Sequence, residues 1–320
     1  MKYSTKLLLG FGILMFVSFA MGAFGVRFAF FVVLMLASSL VAHVSIKSIM
    51  KPVPEYSKTE KVQLEDTSEA MFASIDYARN IQVNLLPSKE LFGSIFSDYS
   101  VIWKPRDVVG GDIYWLKRFP EGSVLCVCDC TGHGTPGALL TMLVVSSLEN
   151  AVLAGNCRDT ANIIWQVEKR LAEVFKVNER TDKSIKDGCD ISIMYIANDG
   201  SLTMSAAYMN IFVCDGKTVK RHRGQKIFVG EGKLQNKDQI KSVYIEPNPN
   251  NKFYIASDGL FDQPDGIKDI PFGYKRFEKI ILENHSKRQA AISEIIWDNF
   301  EDYRDLEARV DDFTLISFMP

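Results

Sequence analysis

The sequence has little histidine and no excess of basic residues. Only four histidines occur among 320 residues, and they are scattered along the chain. Two-metal phosphodiesterases usually rely on histidine ligands, so this class of hydrolase is disfavoured. The 37 lysines and arginines are balanced by 39 aspartates and glutamates, which gives a formal net charge of −2. Nucleic-acid-binding surfaces usually carry a clear excess of basic residues, and the composition therefore argues against DNA or RNA partners.

The spacing of the six cysteines does not indicate a disulfide framework. Cys126, Cys128 and Cys130 alternate with Val127 and Asp129, so on a strand the three thiols share one face and Asp129 lies on the other. Zinc sites prefer cysteine and histidine spacings that fold around the ion, and no pair elsewhere in the chain completes such a site. The sequence predicts buried free thiols in a reducing cytoplasm.

Charged residues are almost absent near the start of the chain. Residues 7–46 contain Arg27, no acidic residue, and otherwise mostly apolar side chains. One helix of that length would be roughly twice as long as the hydrocarbon core is thick, so two spans, at about 7–21 and 28–46, fit better. Lysines flank this segment on both sides, namely Lys2, Lys6, Lys47, Lys51, Lys58 and Lys61. The positive-inside rule then places both ends in the cytoplasm.

A cleaved signal peptide is the alternative interpretation of this segment. Lys2 and Lys6 would form its charged region and residues 7–20 its apolar core. A second long apolar stretch follows at once, which favours a membrane hairpin. We therefore expect residues 1–46 to form a transmembrane helical hairpin in the inner (cytoplasmic) membrane, as a multi-pass anchor with the rest of the chain in the cytoplasm.

The composition turns polar after residue 46. Pro52 and Pro54 would break any helix continuous with the membrane span. A seven-residue repeat of apolar positions follows, made of Leu64, Met71, Ala78 and Leu85. The repeat predicts an amphipathic helix that ends before Pro87, so residues 47–86 are interpreted as a linker and a helix. This helix either docks on the next domain, which we prefer, or pairs with its twin in a homodimer.

Residues 87–320 alternate between strand-like and helix-like segments. The pattern predicts strands at 99–103, 111–116, 124–129, 190–196, 202–207, 211–214, 218–221, 253–257 and 313–318. It predicts helices at 136–153, 159–177, 273–283 and 288–303. Turn signals such as Asn198-Asp199-Gly200 separate several of the strands. Many hairpins accompanied by helices indicate an α+β fold, with antiparallel sheets covered by helices.

Four aspartates lie in short motifs that are flanked by glycine or contain paired acids. The motifs are Val109-Gly110-Gly111-Asp112, Cys128-Asp129-Cys130-Thr131-Gly132-His133-Gly134, Ala256-Ser257-Asp258-Gly259 and Asp311-Asp312-Phe313-Thr314. Each aspartate follows or begins a predicted strand, so the carboxylates can converge at the ends of adjacent strands. Hard divalent cations prefer carboxylate oxygens, and glycine lets the backbone approach closely. One Asp-Gly pair alone is usually a turn, but the four motifs together predict a metal site.

The chain from about residue 79 to 318 resembles the SpoIIE-type, RsbU-like branch of the PPM metal-dependent Ser/Thr protein phosphatases. Besides the four aspartate motifs, the resemblance rests on Arg79-Asn80-Ile81-Gln82, Leu85-Leu86-Pro87, Val108-Val109-Gly110-Gly111-Asp112-Ile113-Tyr114-Trp115, Thr135-Pro136-Gly137-Ala138 and Asp187-Gly188-Cys189-Asp190. It implies an αββα sandwich for residues 87–320, with two divalent cations, Mn²⁺ or Mg²⁺, in a cleft at one end.

The resemblance also implies site residues. Asp112 and Asp129 would be the catalytic and central metal-binding residues, the backbone carbonyl of Cys130 a further metal ligand, and Asp258 and Asp311 would complete the set. Carboxylates that bridge two cations ~3.5–4 Å apart hold a water and aim it at phosphorus for in-line attack.

Three neighbouring residues stay less defined. Asp312 is the alternative to Asp311 as a ligand. Asp190 either binds a further ion or orients a loop. His133 is expected to stabilise the turn before its helix by hydrogen bonding, rather than to act as a general acid.

For the substrate, the resemblance implies a phosphorylated Ser or Thr on a STAS-type, anti-anti-sigma-like regulator in a bacterial partner-switching pathway. A catalytically silent, membrane-tethered phosphoprotein-binding module is the alternative, and the intact set of acids argues against it. We hypothesise that the helix at 62–86 rotates or dimerises to set the geometry of the metal site.

Overall fold

The computed structural model describes residues 58–176, 187–266 and 268–320, and four earlier residues, Val33, Met35, Ala37 and Ser38; for residues 58–65 it describes the backbone only. The chain separates into two units, Met1–Ser68 and Glu69–Pro320. In the first unit the four early residues are helical, and the Ser38 hydroxyl donates to the Met35 carbonyl at 2.8 Å. The rest of the predicted membrane hairpin lies outside the described residues.

The helices are α1 (Lys58–Leu85), α2 (Lys89–Ile95), α3 (Gly134–Ala154), α4 (Thr160–Val174), α5 (Asp258–Phe261), α6 (Tyr274–Glu283) and α7 (Gln289–Arg304). The strands are β1 (Asp98–Lys104), β2 (Asp112–Phe119), β3 (Gly122–Cys130), β4 (Cys189–Ala197), β5 (Leu202–Ala207), β6 (Ile211–Cys214), β7 (Val219–His222), β8 (Val243–Ile245), β9 (Lys252–Ala256) and β10 (Phe313–Met319). Each helix and strand predicted beyond Pro87 is confirmed, whereas α2, α5 and β8 were not predicted.

The strands form two five-stranded sheets. One has the order β1-β10-β9-β6-β7 and the other β2-β3-β4-β5-β8, and every pairing is antiparallel. We call them the first and the second sheet. The first strand of the domain pairs with the last along its whole length, from Asp98 opposite Met319 to Lys104 opposite Phe313. This pairing brings the first and the last strand of the domain together in one sheet.

Three apolar clusters define the layers. The central cluster lies between the sheets and includes Leu125 and Val127 of β3 with Ile255 and Ile316 of the first sheet. A second cluster packs α3 and α4 on the outer face of the second sheet, and a third packs α6 and α7 on the outer face of the first. Each fully buried aliphatic or aromatic side chain contributes about 1.5–3 kcal/mol. The predicted α+β class and the αββα layering of the domain are confirmed.

Helix α3 is apolar on nearly every side. Among the described residues it is the one helix long and apolar enough to cross a membrane, yet half of it is buried within the domain. Val144, Leu148 and Val152 follow one another at four-residue spacing and belong to the cluster beneath α4. The buried face of α3 packs into the cluster on the second sheet, so packing within the domain accounts for the apolar residues of that face.

The cysteines of β3 lie as their alternation predicts. Cys126, Cys128 and Cys130 all belong to the cluster beneath α3 and α4, and the intervening Val127 belongs to the cluster between the sheets. All six cysteines are free, and all but Cys157 are buried. The prediction of buried free thiols is confirmed. It follows from the pleat that Asp129 points away from the thiols, towards the space between the sheets.

Candidate metal centre

A row of three aspartates crosses the end of the second sheet. Asp112 begins β2, Asp129 stands directly opposite it on β3, and Asp190 stands opposite Asp129 on β4. Residues directly opposite one another on antiparallel strands project from the same face of the sheet, with their Cβ atoms about 4.5–5.5 Å apart. The sheet register therefore places three carboxylates side by side on the face that looks towards the first sheet.

The first sheet supplies two further carboxylates. Asp258 begins α5 directly after β9, and Asp311 precedes β10, which pairs with β9. The negative charges of Asp112, Asp258, Asp311 and Asp190 all act on Asp129. The fold thus brings the four aspartates predicted from the sequence to one end of the cleft between the sheets, together with Asp190.

Burial and mutual repulsion change the acidity of the row. Burial raises the pKa of Asp112 to about 8, and the charges of Asp312 and Asp258 add to the rise, although hydrogen bonds from Ser257 and Thr314 oppose it. Burial also raises the pKa of Asp190 to about 7. The pKa of Asp129 lies well above its ordinary value, through burial and then through the four neighbouring carboxylates.

Asp258 lies at the rim of the cluster. Desolvation, followed by the charges of Asp311 and Asp262, raises its pKa to about 6. Asp258 is exposed at the mouth of the cluster, where the neighbouring carboxylates of Asp311 and Asp262 disfavour its ionised form. Acids that raise one another's pKa across a cleft are typical of a site that a cation neutralises.

Only one carboxylate oxygen of Asp112 has a hydrogen-bond partner. The Thr314 hydroxyl donates to Asp112 Oδ2 at 2.6 Å, whereas the buried Oδ1 has no hydrogen-bond partner. No described lysine, arginine or histidine forms an ion pair with the five clustered carboxylates. A buried carboxylate oxygen without a partner is costly. The donor set of hard oxygens fits Mn²⁺ or Mg²⁺.

The side chains do not stand in a finished coordination geometry. Among the described residues, no three His, Cys, Asp or Glu groups are arranged so that they could already hold a metal ion. The backbone register already places the carboxylates side by side, and one buried oxygen of Asp112 has no partner. Rotation of an aspartate side chain relocates its oxygens while the sheet keeps its Cα in place. The assignment of individual metal ligands therefore stays a prediction; it names Asp112, Asp129, Cys130, Asp258 and Asp311.

Asp312 has a different task from Asp311. Its Oδ1 accepts the backbone N–H of Arg106 and its Oδ2 that of Gly111, both at 2.6 Å. Asp311 Oδ1 accepts the N–H of Asp312 at 2.8 Å, which leaves its other oxygen for a ligand. Asp312 therefore anchors the glycine turn before Asp112, and the geometry favours Asp311 over Asp312 as the metal ligand.

Gly111 permits a close approach of two backbone segments. A methyl group at this position would lie 2.4 Å from the Gly132 carbonyl oxygen and 2.8 Å from that of Cys130. The Cys130 N–H donates to the Gly111 carbonyl at 3.0 Å. The Cys130 thiol faces the helices, so only its carbonyl could serve as a ligand, in agreement with the role that the family resemblance implies.

His133 stabilises its turn in an unexpected way. It is the N-terminal cap of α3, but its side chain makes no capping hydrogen bond. Instead Nδ1 pairs with Asp107 Oδ2 at 2.8 Å and also contacts the guanidinium of Arg106. The imidazole thus ties the Thr-Gly-His-Gly turn to the loop between β1 and β2. Hydrogen bonding by His133 was predicted, but its partners lie outside its own helix.

Gln82 belongs to a motif that carries the family resemblance, but the sequence analysis assigned it no role at the site. Its fully buried side chain donates from Nε2 to the Gly110 carbonyl at 2.7 Å and to Thr141 Oγ1 at 3.1 Å, and its Oε1 accepts the Gly110 N–H at 3.2 Å. Gln82 lies on α1 between Ala78 and Leu85. A polar residue on the apolar stripe of an amphipathic helix was the signal that could have revealed it.

Two hydroxyls were also missed. Besides Thr314, the Ser257 hydroxyl supports the site: it donates to the Asp312 carbonyl at 3.4 Å and accepts the Thr314 N–H at 3.0 Å. Both residues stand inside motifs that the sequence analysis quoted for their aspartates. The signal was their place beside an acid, but the partners that the fold gives them were not visible in the sequence.

Comparison with known proteins identifies the family. The family model of stage II sporulation protein E (SpoIIE) matches residues 120–319. A search of curated proteins finds no match. The chain is similar in structure to the SiaA-PP2C domain of Pseudomonas aeruginosa, with 27% identity over 79% of this chain and 98% of that one and a TM-score of 0.71.

Two more distant structures share the fold. The PP2C phosphatase domain with a regulatory fragment of SpoIIE from Bacillus subtilis has 16% identity over 69% of this chain and 61% of that one, with a TM-score of 0.55. The RsbU and RsbW domains of Rv1364c from Mycobacterium tuberculosis have 15% identity over 70% and 60%, with a TM-score of 0.52. Since the family match covers more than half of the sequence, the chain belongs to the SpoIIE family, within the metal-dependent PPM (PP2C-type) Ser/Thr phosphatases.

Proposed function

We propose that the protein is a membrane-anchored phosphatase that uses two divalent cations, Mn²⁺ or Mg²⁺, to dephosphorylate a Ser or Thr of a STAS-type regulator in a bacterial partner-switching pathway. The observation that carries the proposal is the convergence of Asp112, Asp129, Asp190, Asp258 and Asp311 at one end of the intersheet cleft. Their charges need cations, and phosphate transfer to water uses the same cations.

The chain's own residues prepare the site. Asp112 and Asp129 would hold the cations from the second sheet, and Asp258 and Asp311 from the first. When bound, the cations lower the pKa of a water and neutralise phosphate oxygens. The Thr314 hydroxyl fixes one oxygen of Asp112 and leaves the other available. Asp312 holds the glycine turn by two backbone amides, so that the carboxylate row does not have to reorganise during the reaction.

A phosphoprotein in a regulatory circuit is the substrate class that the relatives support. The structure from M. tuberculosis combines RsbU and RsbW domains. The B. subtilis structure belongs to a cell fate determinant and includes part of a regulatory domain. These contexts favour a regulator protein over a metabolite as the phosphate donor, and by resemblance we assign a STAS-domain protein.

One assay tests the proposed function. Full-length protein with Mn²⁺ is incubated with a phosphoserine-bearing STAS-domain protein and, separately, with a nucleotide diester. We expect phosphate release from the protein and no cleavage of the diester. Tight binding of the phosphoprotein without turnover would support the binding-module alternative, and diester cleavage would point to a phosphodiesterase.

We also propose that residues 1–46 anchor the protein in the inner membrane as a hairpin, with the phosphatase domain in the cytoplasm. The support is the apolar composition of residues 7–46 and the lysines on either side. We expect the full-length protein to stay with the membrane fraction after an alkaline carbonate wash and to leave it only with detergent. Release by carbonate alone would contradict the anchor.

The input signal is proposed to pass through α1. Gln82 connects this helix to the Gly110 backbone, two residues before Asp112, and to Thr141 of α3. Ile75, Ala78 and Leu85 are partly buried, whereas Met71 and Phe72 are exposed. A rotation of α1, or its pairing with a second copy through the exposed residues, would move Gln82. The glycine turn that carries Asp112 would then shift with it.

Replacing Gln82 with alanine is expected to weaken metal binding more than the fold. Loss of the paired hydrogen bonds to Gly110 costs about 1–3 kcal/mol, so the Mn²⁺ concentration for half-maximal activity should rise by about 10-fold. Titration of activity with Mn²⁺ measures this. Asn84→Ala is the matched control, because Asn84 is an exposed amide on the same helix. Identical Mn²⁺ curves for the two variants would contradict the coupling.

A further inference from the structure

A groove of about 700 Å³ opens beside the carboxylate cluster. It shares Thr131 and Asp190 with the cluster end of the second sheet, and its other lining residues include Tyr208, Lys226 and Lys233. Because Asp190 belongs to both places, a chain bound along the groove would lead directly to the carboxylates. The groove contains both aromatic and charged side chains, and this mixture is typical of a surface that binds polypeptide.

Tyr208 occupies a strained turn at the edge of this groove. It lies between β5 and β6 with a φ of +54°, in the left-handed region that side chains other than glycine rarely adopt. Its N–H donates to the Gln225 carbonyl at 2.7 Å, and the next N–H, of Met209, donates to the Ala207 carbonyl at 2.7 Å. The backbone around Gln225 therefore holds Tyr208 in place.

Burial of Tyr208 does little to offset the strain of its backbone, because the residue is 45% exposed. An aromatic ring that is kept in a strained backbone conformation and is still half open to solvent is unexpected on grounds of stability. Such outliers cluster at binding and catalytic sites, where the surroundings hold them. Tyrosine is also among the residues that most often dominate protein interfaces.

The wall of the groove that carries Lys233 is fixed from inside the core. Glu168 of α4 is only 1% exposed, and its carboxylate accepts the backbone N–H groups of Gly230, Lys233 and Leu234. Three amides on one buried carboxylate hold residues 230–234 in a single conformation. The wall that carries Lys233 is thus rigid before any ligand arrives. A rigid groove loses less entropy on binding than a mobile loop would.

The charges of the groove wall are unequal. Lys233 is neutralised by Glu231 in an ion pair, whereas Lys226 is exposed and forms no ion pair with any described residue. Among the described residues, Lys226 therefore adds to the groove a positive charge that no ion pair neutralises. A peptide with an acidic residue near its phosphorylated side chain would match this charge.

We propose that the groove binds the polypeptide that flanks the phosphorylated Ser or Thr of the substrate protein, with Tyr208 as its main contact, Lys226 as a partner for an acidic flanking residue and Glu168 as the positioning residue of the wall. This assignment rests on the proposed phosphatase function. It makes Tyr208 a determinant of substrate specificity that lies outside the metal site.

Two substrates separate recognition from chemistry. Full-length protein with Mn²⁺ is assayed with p-nitrophenyl phosphate, which has no flanking chain, and with a phosphoserine STAS-domain protein. Tyr208→Gly removes the ring and relieves the strained φ, so the variant should unfold at the same or a higher temperature. We expect kcat/KM for the phosphoprotein to fall by about 10–100-fold, mainly through KM, and that for p-nitrophenyl phosphate to change less than about twofold.

Two further variants complete the test. Tyr244→Ala removes a 57% exposed tyrosine from β8 of the second sheet. This control variant should leave both activities unchanged. Glu168→Gln should raise KM for the phosphoprotein alone and speed hydrogen exchange at the amides of Gly230, Lys233 and Leu234. Equal losses on both substrates for Tyr208→Gly, or no loss on either, would overturn the groove assignment. Wild-type protein that releases no phosphate from either substrate would overturn the proposed function itself.

Discussion

Replacing Asp112 with asparagine is expected to lower Mn²⁺-dependent phosphatase activity by about 1,000-fold or more, which corresponds to about 4 kcal/mol of transition-state stabilisation. Asp112 is the most buried member of the carboxylate cluster, and its Oδ1 has no hydrogen-bond partner. An asparagine keeps the size of the side chain and its bond to Thr314, but it cannot bring negative charge to a cation. Turnover of the phosphorylated STAS protein measures the effect.

The same variant should fold at least as well as the wild type when no metal is present. The pKa of Asp112 is raised to about 8, so ionising it is unfavourable in the folded chain, and the neutral amide removes this penalty. We expect an unchanged or higher Tm in EDTA and a loss of the Tm increase that Mn²⁺ gives the wild type. Asp302→Asn, an exposed position on α7, is the control. Activity near the wild-type level in Asp112→Asn would contradict the assigned ligand set.

Removing the metal should make stability depend on pH in the direction opposite to that of most acidic groups. The pKa values of Asp258, Asp190 and Asp112 are raised to about 6, 7 and 8, from an ordinary value of about 3.9. Between the ordinary pKa of about 3.9 and the raised pKa values of about 6 to about 8, the folded chain binds more protons than the unfolded chain does. Stability therefore falls as pH rises from about 4 to about 8.

Divalent cations should reverse this trend. A cation binds the ionised carboxylates, so the stabilisation by Mn²⁺ should grow as pH rises through the same range. The interval from pH 6.5 to about 8 is the most informative, because the raised pKa values of Asp190 and Asp112, about 7 and about 8, fall there. Burial and then Lys220 lower the pKa of His222, so its contribution of opposite sign fades as the pH rises above 6.5. Thermal unfolding at several pH values, with EDTA or with Mn²⁺, measures both effects.

A matched comparison decides whether the cluster causes this behaviour. In Asp112→Asn the metal-free slope between pH 6.5 and 8 should become shallower, because the carboxyl group whose pKa is raised to about 8 is no longer present to titrate. Metal-free wild-type protein whose Tm rises over this interval would contradict the coupled carboxylate cluster. Equal Mn²⁺ effects at both ends of the interval would contradict it as well.

Local sequence patterns were enough to predict most of the elements of the domain. The alternation along β3 predicted both its strand and the separation of its thiols from Asp129, because side chains of a strand alternate between two faces. Three elements were missed, α2, α5 and β8, which contain seven, four and three residues. Segments this short have little intrinsic stability and form because the surrounding fold packs against them.

The sequence identified the acids that the fold brings together, but it did not show how they are supported, and their roles as metal ligands stay a prediction. Glycine-flanked acids mark a metal site by their local chemistry, and the four aspartates of the motifs do lie together. Their supporting partners are remote, since Thr314 is 202 residues from Asp112 and Gln82 is 28 residues from Gly110. No local pattern connects such pairs. The hydrogen bonds that Asp312 accepts from the amides of Arg106 and Gly111 were likewise invisible, because the sequence does not show which distant backbone amides lie around an acid.

The sequence by itself determined the family resemblance, the set of carboxylates and the faces of the strands, because these depend on the identity and spacing of neighbouring residues. Only the tertiary structure decided that β1 pairs with β10, that Asp190 joins the row, that Asp312 holds the glycine turn, and that Gln82 connects α1 to the site. Those features depend on which distant backbone amides, hydroxyls and carboxylates meet. These contacts are set by the packing of the two sheets against each other. No short segment of the chain shows which distant groups will be in contact.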